Sequence, residues 1–280
     1  MTVARLLRTA RRNPSLAIGT LLVGLVIAMA LVSLFWTPYS PTRMAMSARL
    51  QAPSTLHWLG TDQFGRDVLS QIMVGAQNAL FVAVASVLVG ACAGTALGLA
   101  AAALRGWAEE AFMRLCDFAY AFPAVLLAII ISALVGVGAI TTIFAIAIFT
   151  IPVFGRLARG AAIEVWSKSF IAAARLNGKS LLRITLRHIL PNIAGLLIVQ
   201  VSTQIALAVI VEAGLSYLGI GLQPPSISWG KMLADAQTHM ARAPTLAIFS
   251  GLAIAFAVLG FNLLGDGIRD LLDPRLRRAR

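Results

Sequence analysis

The stretch FIAAARLNGKSLLRITLRHILPN, residues 170–192, is a basic polar island set between long apolar runs. Apolar runs of that length need lipid as their solvent, so the island is a segment that a membrane chain keeps in water, with something there to contact. Working outward from it, the chain has 280 residues, of which 59% are hydrophobic and only 12% charged. Its mean hydropathy is +0.86. A soluble core in a chain this short cannot bury so much apolar surface. The sequence describes an all-α integral membrane protein whose first partner is the lipid bilayer.

The net charge of +12 does not point to nucleic acid. Basic residues sit between apolar spans and at the chain ends, without interleaved aromatics that would stack on bases. Cys92 and Cys116 give neither a disulfide framework nor a metal-ligand spacing. His57, His188 and His239 are scattered, so no metal site is encoded. The triplet Gly178-Lys179-Ser180 ends like a phosphate loop, but that motif needs glycine where the chain has Ala173, and no strand precedes it. The chain binds no cofactor of its own by this reading, and any ATP belongs to a partner.

Runs of about 17–25 mostly apolar residues predict six spans, near 16–36, 79–104, 118–137, 139–157, 193–211 and 246–264. The basic head and the Ala28-Met29-Ala30 triplet imitate a cleaved signal, but the apolar run continues through Trp36, which predicts an uncleaved first helix. Gly136, Val137 and Gly138 suit a tight turn between the third and fourth spans. With the N-terminus cytoplasmic, the inner segments hold Arg5, Arg8, Arg11 and Arg12, then Arg105 and Arg114. The island side adds Arg156, Arg159, Lys168, Arg175, Lys179, Arg183 and Arg187, and the tail Arg269, Arg275, Arg277, Arg278 and Arg280. Arg43, Arg49, Arg66, Lys231 and Arg242 fall outside. Eighteen basic residues against five predict that both termini face the cytoplasm. The expected organisation is a first unit, 1–36; an extracytoplasmic segment, 37–78; and a core, 79–280, with a cytoplasmic loop at 158–191 and an outer loop at 212–245. The outer segments exceed the roughly 12–15 residues of an ordinary connection. Their prolines, glycines, Trp58 and Trp229 read as folded platforms.

Within the island, Phe170, Ala173, Ala174 and Leu176, then Leu181, Leu182, Ile184 and Leu186, suggest two short amphipathic helices joined at Gly178. Pro191 fits the first turn of the next span. Small residues at 172–174 let another surface approach closely.

On these residues the island resembles the EAA loop of bacterial ABC-importer permeases, matched at Ala173, Ala174, Gly178, Ile189, Leu190 and Pro191, with Ala172 where the family commonly has Glu. The stretches HWLGTDQFGRDVLSQI (57–72), EAGLSYLGIGLQPPSISWGKML (212–233) and FNLLGDGIRDLLDP (261–274) resemble the dipeptide/oligopeptide/nickel permease family, and the arginine-rich head resembles its dipeptide C-type subunit. The resemblance implies a type I ABC-importer permease (MetI-like) fold in the bacterial inner membrane, with a peripheral first helix and a five-helix core. It also implies a second homologous permease subunit, two ATPase subunits that hold ATP and Mg, and an extracytoplasmic substrate-binding protein. The chain itself is then no enzyme.

The residues expected to couple to the ATPases are Ala172, Ala173, Ala174, Gly178, Leu182, Ile189, Leu190 and Pro191. Gln200 and Gln204, four apart and so on one helix face, with Thr203 adjacent, are expected to border the pathway. Trp58, Asp62, Arg66, Asp67 and Trp229 are expected to dock the delivery protein, with Asp62 and Asp67 shaping the first loop. The implied cargo is a di- or oligopeptide, the alternatives being nickel, a metal chelate, glutathione or an opine-like conjugate. The competing class, a secondary transporter, would carry coupling charges inside the membrane, whereas Glu212 and Asp266 lie at predicted span ends.

Overall fold

The computed structural model describes residues 13–121 and 123–272; the basic head and Arg275, Arg277, Arg278 and Arg280 lie outside them. The helices, in chain order, are α1 (Pro14–Ser33), α2 (Val68–Leu104), α3 (Trp107–Ala121), α4 (Ala124–Val135) and α5 (Ala139–Trp166). They continue with α6 (Ser169–Leu176), α7 (Leu181–Ile184), α8 (Leu190–Tyr217), α9 (Trp229–Gln237) and α10 (Pro244–Leu272). A π-turn over Thr185–Ile189 joins α7 to α8. Among the described residues there is no strand beyond one isolated bridge between Thr61 and Asp67. Five helices are long and apolar enough to cross a bilayer, and α3 with α4, bent by 92° at the break between them, adds a sixth only if the pair is one span.

Helix extents differ from those predicted by hydropathy. α2 is 37 residues long, about 55 Å at 1.5 Å per residue, so it outruns a bilayer core. It begins at Val68, ahead of the predicted span, because the carboxylate of Asp67 accepts the Ser70 backbone N–H at 2.8 Å as an N-cap. α5 runs on to Trp166, which shortens the expected inner loop, and α8 runs to Tyr217. The third predicted span is two helices. Pro123 caps α4 with an extended backbone (φ −58°, ψ 130°), whereas Pro152 is accommodated inside α5.

The centre of the molecule is the seam between α2 and α5. Gly90, Gly94 and Gly98 recur every four residues on one face of α2. A Cβ at Gly90 would meet Thr150 at 2.6 Å, one at Gly94 would meet the Phe154 Cβ at 2.9 Å, and one at Gly98 would fall on the Gly155 carbonyl. Two apolar helices gain nothing hydrophobic by leaving lipid for each other, so close backbone approach and dispersion hold such seams. Val82, Ala83, Val87, Ile146 and Phe154 extend the packing on either side. α1 lies at the periphery against α10, with its backbone at Val23 set 3.1 Å from where a Cβ at Gly260 would lie.

Replacing Gly98 by Leu forces the α2 and α5 backbones apart. Overpacking of this kind costs about 1–3 kcal/mol or more, so the detergent-solubilised variant is expected to melt several degrees below the parent. Gly24→Leu, at a position with open space around it, is expected to melt like the parent. Equal melting of the two variants would show that the seam is not close-packed.

Candidate functional site

The first candidate site is the island. α6 and α7 fold back on the end of α5 by burying Ile171, Ala174, Ile184 and Ile189 against Trp166, Ala158, Ala162 and Leu99. Gly178 turns the chain between them at φ +70°, a left-handed conformation that a side chain would strain. The Ser180 hydroxyl accepts the Arg183 N–H at 3.4 Å at the start of α7. Lys179 Nζ lies 3.1 Å from His188 Nε2, bracing the turn. The Arg175 guanidinium stacks on the Trp166 indole at 4.7 Å.

The helical phase differs from the one expected. Ala174 and Ile189 are buried and attach the island to the bundle, so neither side chain presents a surface to a partner. Ala172, Ala173, Gly178, Leu182 and Pro191 are exposed, and Leu190 is half-buried. Of the apolar residues that suggest the two amphipathic helices, Leu176 is 90% and Leu182 is 68% exposed. Leu181 and Leu186 are exposed as well, so four leucines of this basic segment stand uncovered in the chain. The missed signal was the i, i+3 pair Ile171 and Ala174, which sets the phase of α6.

The second candidate site joins residues 37–67 to residues 218–237. Asp62 accepts from the Phe64 and Arg66 backbone N–H groups at 2.9 Å each, from Arg66 Nε at 2.6 Å and from Gln71 Nε2 at 3.0 Å. Asp67 accepts from the Ser70 N–H and hydroxyl, and its other oxygen lies 2.9 Å from His57 Nδ1. Tyr39 packs on the His57 ring with centroids 4.6 Å apart. Two buried carboxylates thus satisfy a loop that has no ladder to satisfy it. In the second segment the buried Glu212 carboxylate accepts from the Ser216 and Ser228 hydroxyls at 2.8 Å each. The Ser216 hydroxyl in turn accepts the Leu222 N–H at 3.0 Å, and that of Ser228 the Gly230 N–H at 3.1 Å. This knot ties the end of α8 to the start of α9. Sequence reasoning saw in Glu212 only a charge at a span end.

Trp229 is fully buried. Its indole fills the space a Cβ at Gly75 would occupy, and its Nε1–H donates to the Ile72 carbonyl at 3.0 Å. It bolts the start of α9 to the first turns of α2 and is no part of an exposed docking surface, contrary to the expectation for it. Asn78 Nδ2 adds a bond to the Ile227 carbonyl at 2.8 Å. Trp58 is exposed at the rim. Phe64, Arg66, Gln71, Pro225, Lys231 and Asp235 are among the residues lining a cleft of about 600 Å³ between the segments.

On α8, Gln204 is buried and lines a small cavity with Thr150, Phe149 and Leu207, while Gln200 is half-buried. Thr203 does not line this cavity. It is exposed, its hydroxyl is 3.4 Å from the Val199 carbonyl, and it lies toward Gly265 of α10. Among the described residues no three His, Cys, Asp or Glu side chains are placed to hold a metal.

Removal of the Glu212 carboxyl leaves two buried serine hydroxyls without their acceptor. Glu212→Ala is expected to cost about 2–4 kcal/mol and to lower the melting temperature, whereas Glu212→Gln, which retains an acceptor oxygen, is expected to stay much nearer the parent. Equal loss in both would show that the hydroxyl bonds are not what stabilises the knot.

The model of the family described as binding-protein-dependent transport system inner membrane component matches residues 94–278. The chain is 44% identical to the glutathione transport system permease protein GsiD of Pectobacterium atrosepticum over 96% of its own length and 90% of that protein. It is 43% identical to the GsiD proteins of Escherichia coli O157:H7 and Shigella sonnei, over 96% of its length and 89% of theirs. These relatives are permease components rather than enzymes, and the similarity sets aside the secondary-transporter reading. With its apolar helices and no strand among the described residues, the chain is a multi-pass inner-membrane permease of an ABC importer, a member of the binding-protein-dependent transport system inner membrane component family.

Proposed function

We propose that this permease works with a second homologous permease subunit, with two ATPases that hold ATP and Mg and with an extracytoplasmic binding protein, and that it imports short peptides with both its termini in the cytoplasm. The observation that carries this reading is the exposed apolar shoulder of Ala172, Ala173, Leu176 and Leu182 on a basic segment held against the end of α5. A surface of that kind needs a protein cover in water, and small residues permit a close one. Nucleotide-driven closure of the ATPases then displaces the shoulder and, through α5 and α8, shifts the bundle between inward- and outward-open arrangements. The face bearing Gln200 and Gln204 borders the pathway, where water satisfies the amides. The platform stabilised by Asp62, Asp67 and Glu212, with Trp58 and Arg66 at its surface, receives the binding protein. Glutathione, a tripeptide, is the first cargo to test, because the relatives are named for it.

The reading is tested in the co-purified complex. Ala173→Trp is expected to preserve folding and to reduce uptake about tenfold or more by holding the surfaces apart, an interface clash of several kcal/mol; unaltered ATPase association and uptake would refute the docking surface. Ala174→Trp, at a buried position, is expected instead to lower the melting temperature of the permease itself. Asp67→Ala is expected to weaken the stimulation of ATP turnover by the binding protein while assembly persists, and unchanged stimulation at every binding-protein concentration would remove the outer platform from docking. A ligand screen of the binding protein identifies the cargo, and transport by this chain alone would overturn the assembly.

A further inference from the structure

We propose that α3 rides on α5. Glu109 and Asp117, paired with Arg159 and Arg156, are positioning residues that make the bent span α3–α4 follow the end of α5 that carries the coupling segment. This inference rests on the reading of α6–α7 as that segment.

Two ion pairs join the helices in antiparallel order. Arg159 Nε donates to Glu109 Oε1 at 2.6 Å and a second nitrogen of the same guanidinium reaches the same oxygen. About one turn earlier on α5, Arg156 pairs with Asp117, which lies about two turns further along α3. The Arg156 guanidinium also lies over the Tyr120 ring, 4.5 Å from its centroid. On α3, between Glu109 and Asp117, the Phe112 ring occupies the place a Cβ at Gly155, next to Arg156 on α5, would take, 2.5 Å from it at the nearest atom. One face of α3 is therefore matched to one face of α5 by charge, ring and gap.

Partly exposed ion pairs add little to stability, because water screens them and long side chains lose freedom to make them. Two such pairs in register fix where one helix sits on another. α3 also packs on α2, to which it is joined through Arg105 and Gly106, and Pro123 interrupts the span before α4. Beside that contact an apolar cleft of about 420 Å³ opens among α2, α3, α4 and α5, lined in part by Leu97, Phe112, Leu127, Ile130 and Pro152. Arg159 lies only two turns before the end of α5 at Trp166, and Trp166 packs on Ile171 of α6. A displacement of the island reaches α3 through these pairs and α4 through the break at Pro123.

The test uses the full complex in proteoliposomes with its binding protein, reading ATP turnover and uptake together. Glu109→Arg and Arg159→Glu each set like charges face to face, and each is expected to lower uptake per ATP about tenfold. The double exchange is expected to return to within about twofold of the parent, because the two sites are coupled. Parental uptake per ATP in both single variants overturns the proposal, as does an assembled, ATP-hydrolysing double variant without recovery. Where a single variant fails to assemble, Glu109→Cys with Arg159→Cys, in a background lacking Cys92 and Cys116, is joined by a short bifunctional thiol reagent. Retained uptake in the joined protein supports movement as one body, and loss of uptake on joining overturns it. Failure of the unmodified complex to import would strike the proposed function instead, so the two readings fail separately.

Discussion

Close approach of the α2 and α5 backbones is the constraint on which the other features depend. In lipid, an apolar helix has no hydrophobic reason to leave its surroundings for another, so the seam is held by contact density. Gly90, Gly94 and Gly98 supply it by having no side chain at the places where Thr150, Phe154 and Gly155 approach. Both functional ends grow out of this seam. The outer end of α2 begins at the Asp67 cap and pins the first platform loop. The inner end of α5 runs into Trp166, against which the island folds. Movement applied at the island therefore meets a rigid pair of helices.

The two ends are built by opposite chemistry. Outside, buried carboxylates organise irregular chain. Asp62, Asp67 and Glu212 accept bonds from backbone and hydroxyl donors that would otherwise be stranded when the loops pack down. None of the three sits in a cluster placed for metal binding among the described residues; they are scaffolding. The island instead holds itself to the bundle with apolar contacts from Ile171, Ala174, Ile184 and Ile189 and leaves Leu176 and Leu182 in the open.

The two prolines set within apolar runs separate stiffness from bending. Pro152 sits in the middle of the seam, where packing against α2 keeps α5 continuous. Pro123 has no such seam beside it, and there the span divides. A missing N–H has the same intrinsic cost at either place. Neighbouring helices decide whether the chain pays it by bending.

The sequence by itself determined the solvent of each segment, because hydropathy measures transfer into lipid directly. The bilayer class, the all-helical architecture and the apolar runs that become the long helices were legible that way. So was the family, whose motifs at 57–72 and 212–233 prove to be the residues that tie the outer loops together. Helix extents were not legible, since α2 begins among Ser70, Gln71, Gln77 and Asn78, residues that are polar and yet helical behind the Asp67 cap. Nor was the difference between Ala173 and Ala174, because in a helix of eight residues the buried face is set by what the helix lies against. Trp229 shows the same limit. An aromatic residue in an outer loop suits an interface or a core equally, and its place was decided by the hollow at Gly75, distant in sequence and adjacent only after folding. Composition reports the medium a residue prefers; which neighbour supplies that medium depends on long-range contacts that exist only in the tertiary structure.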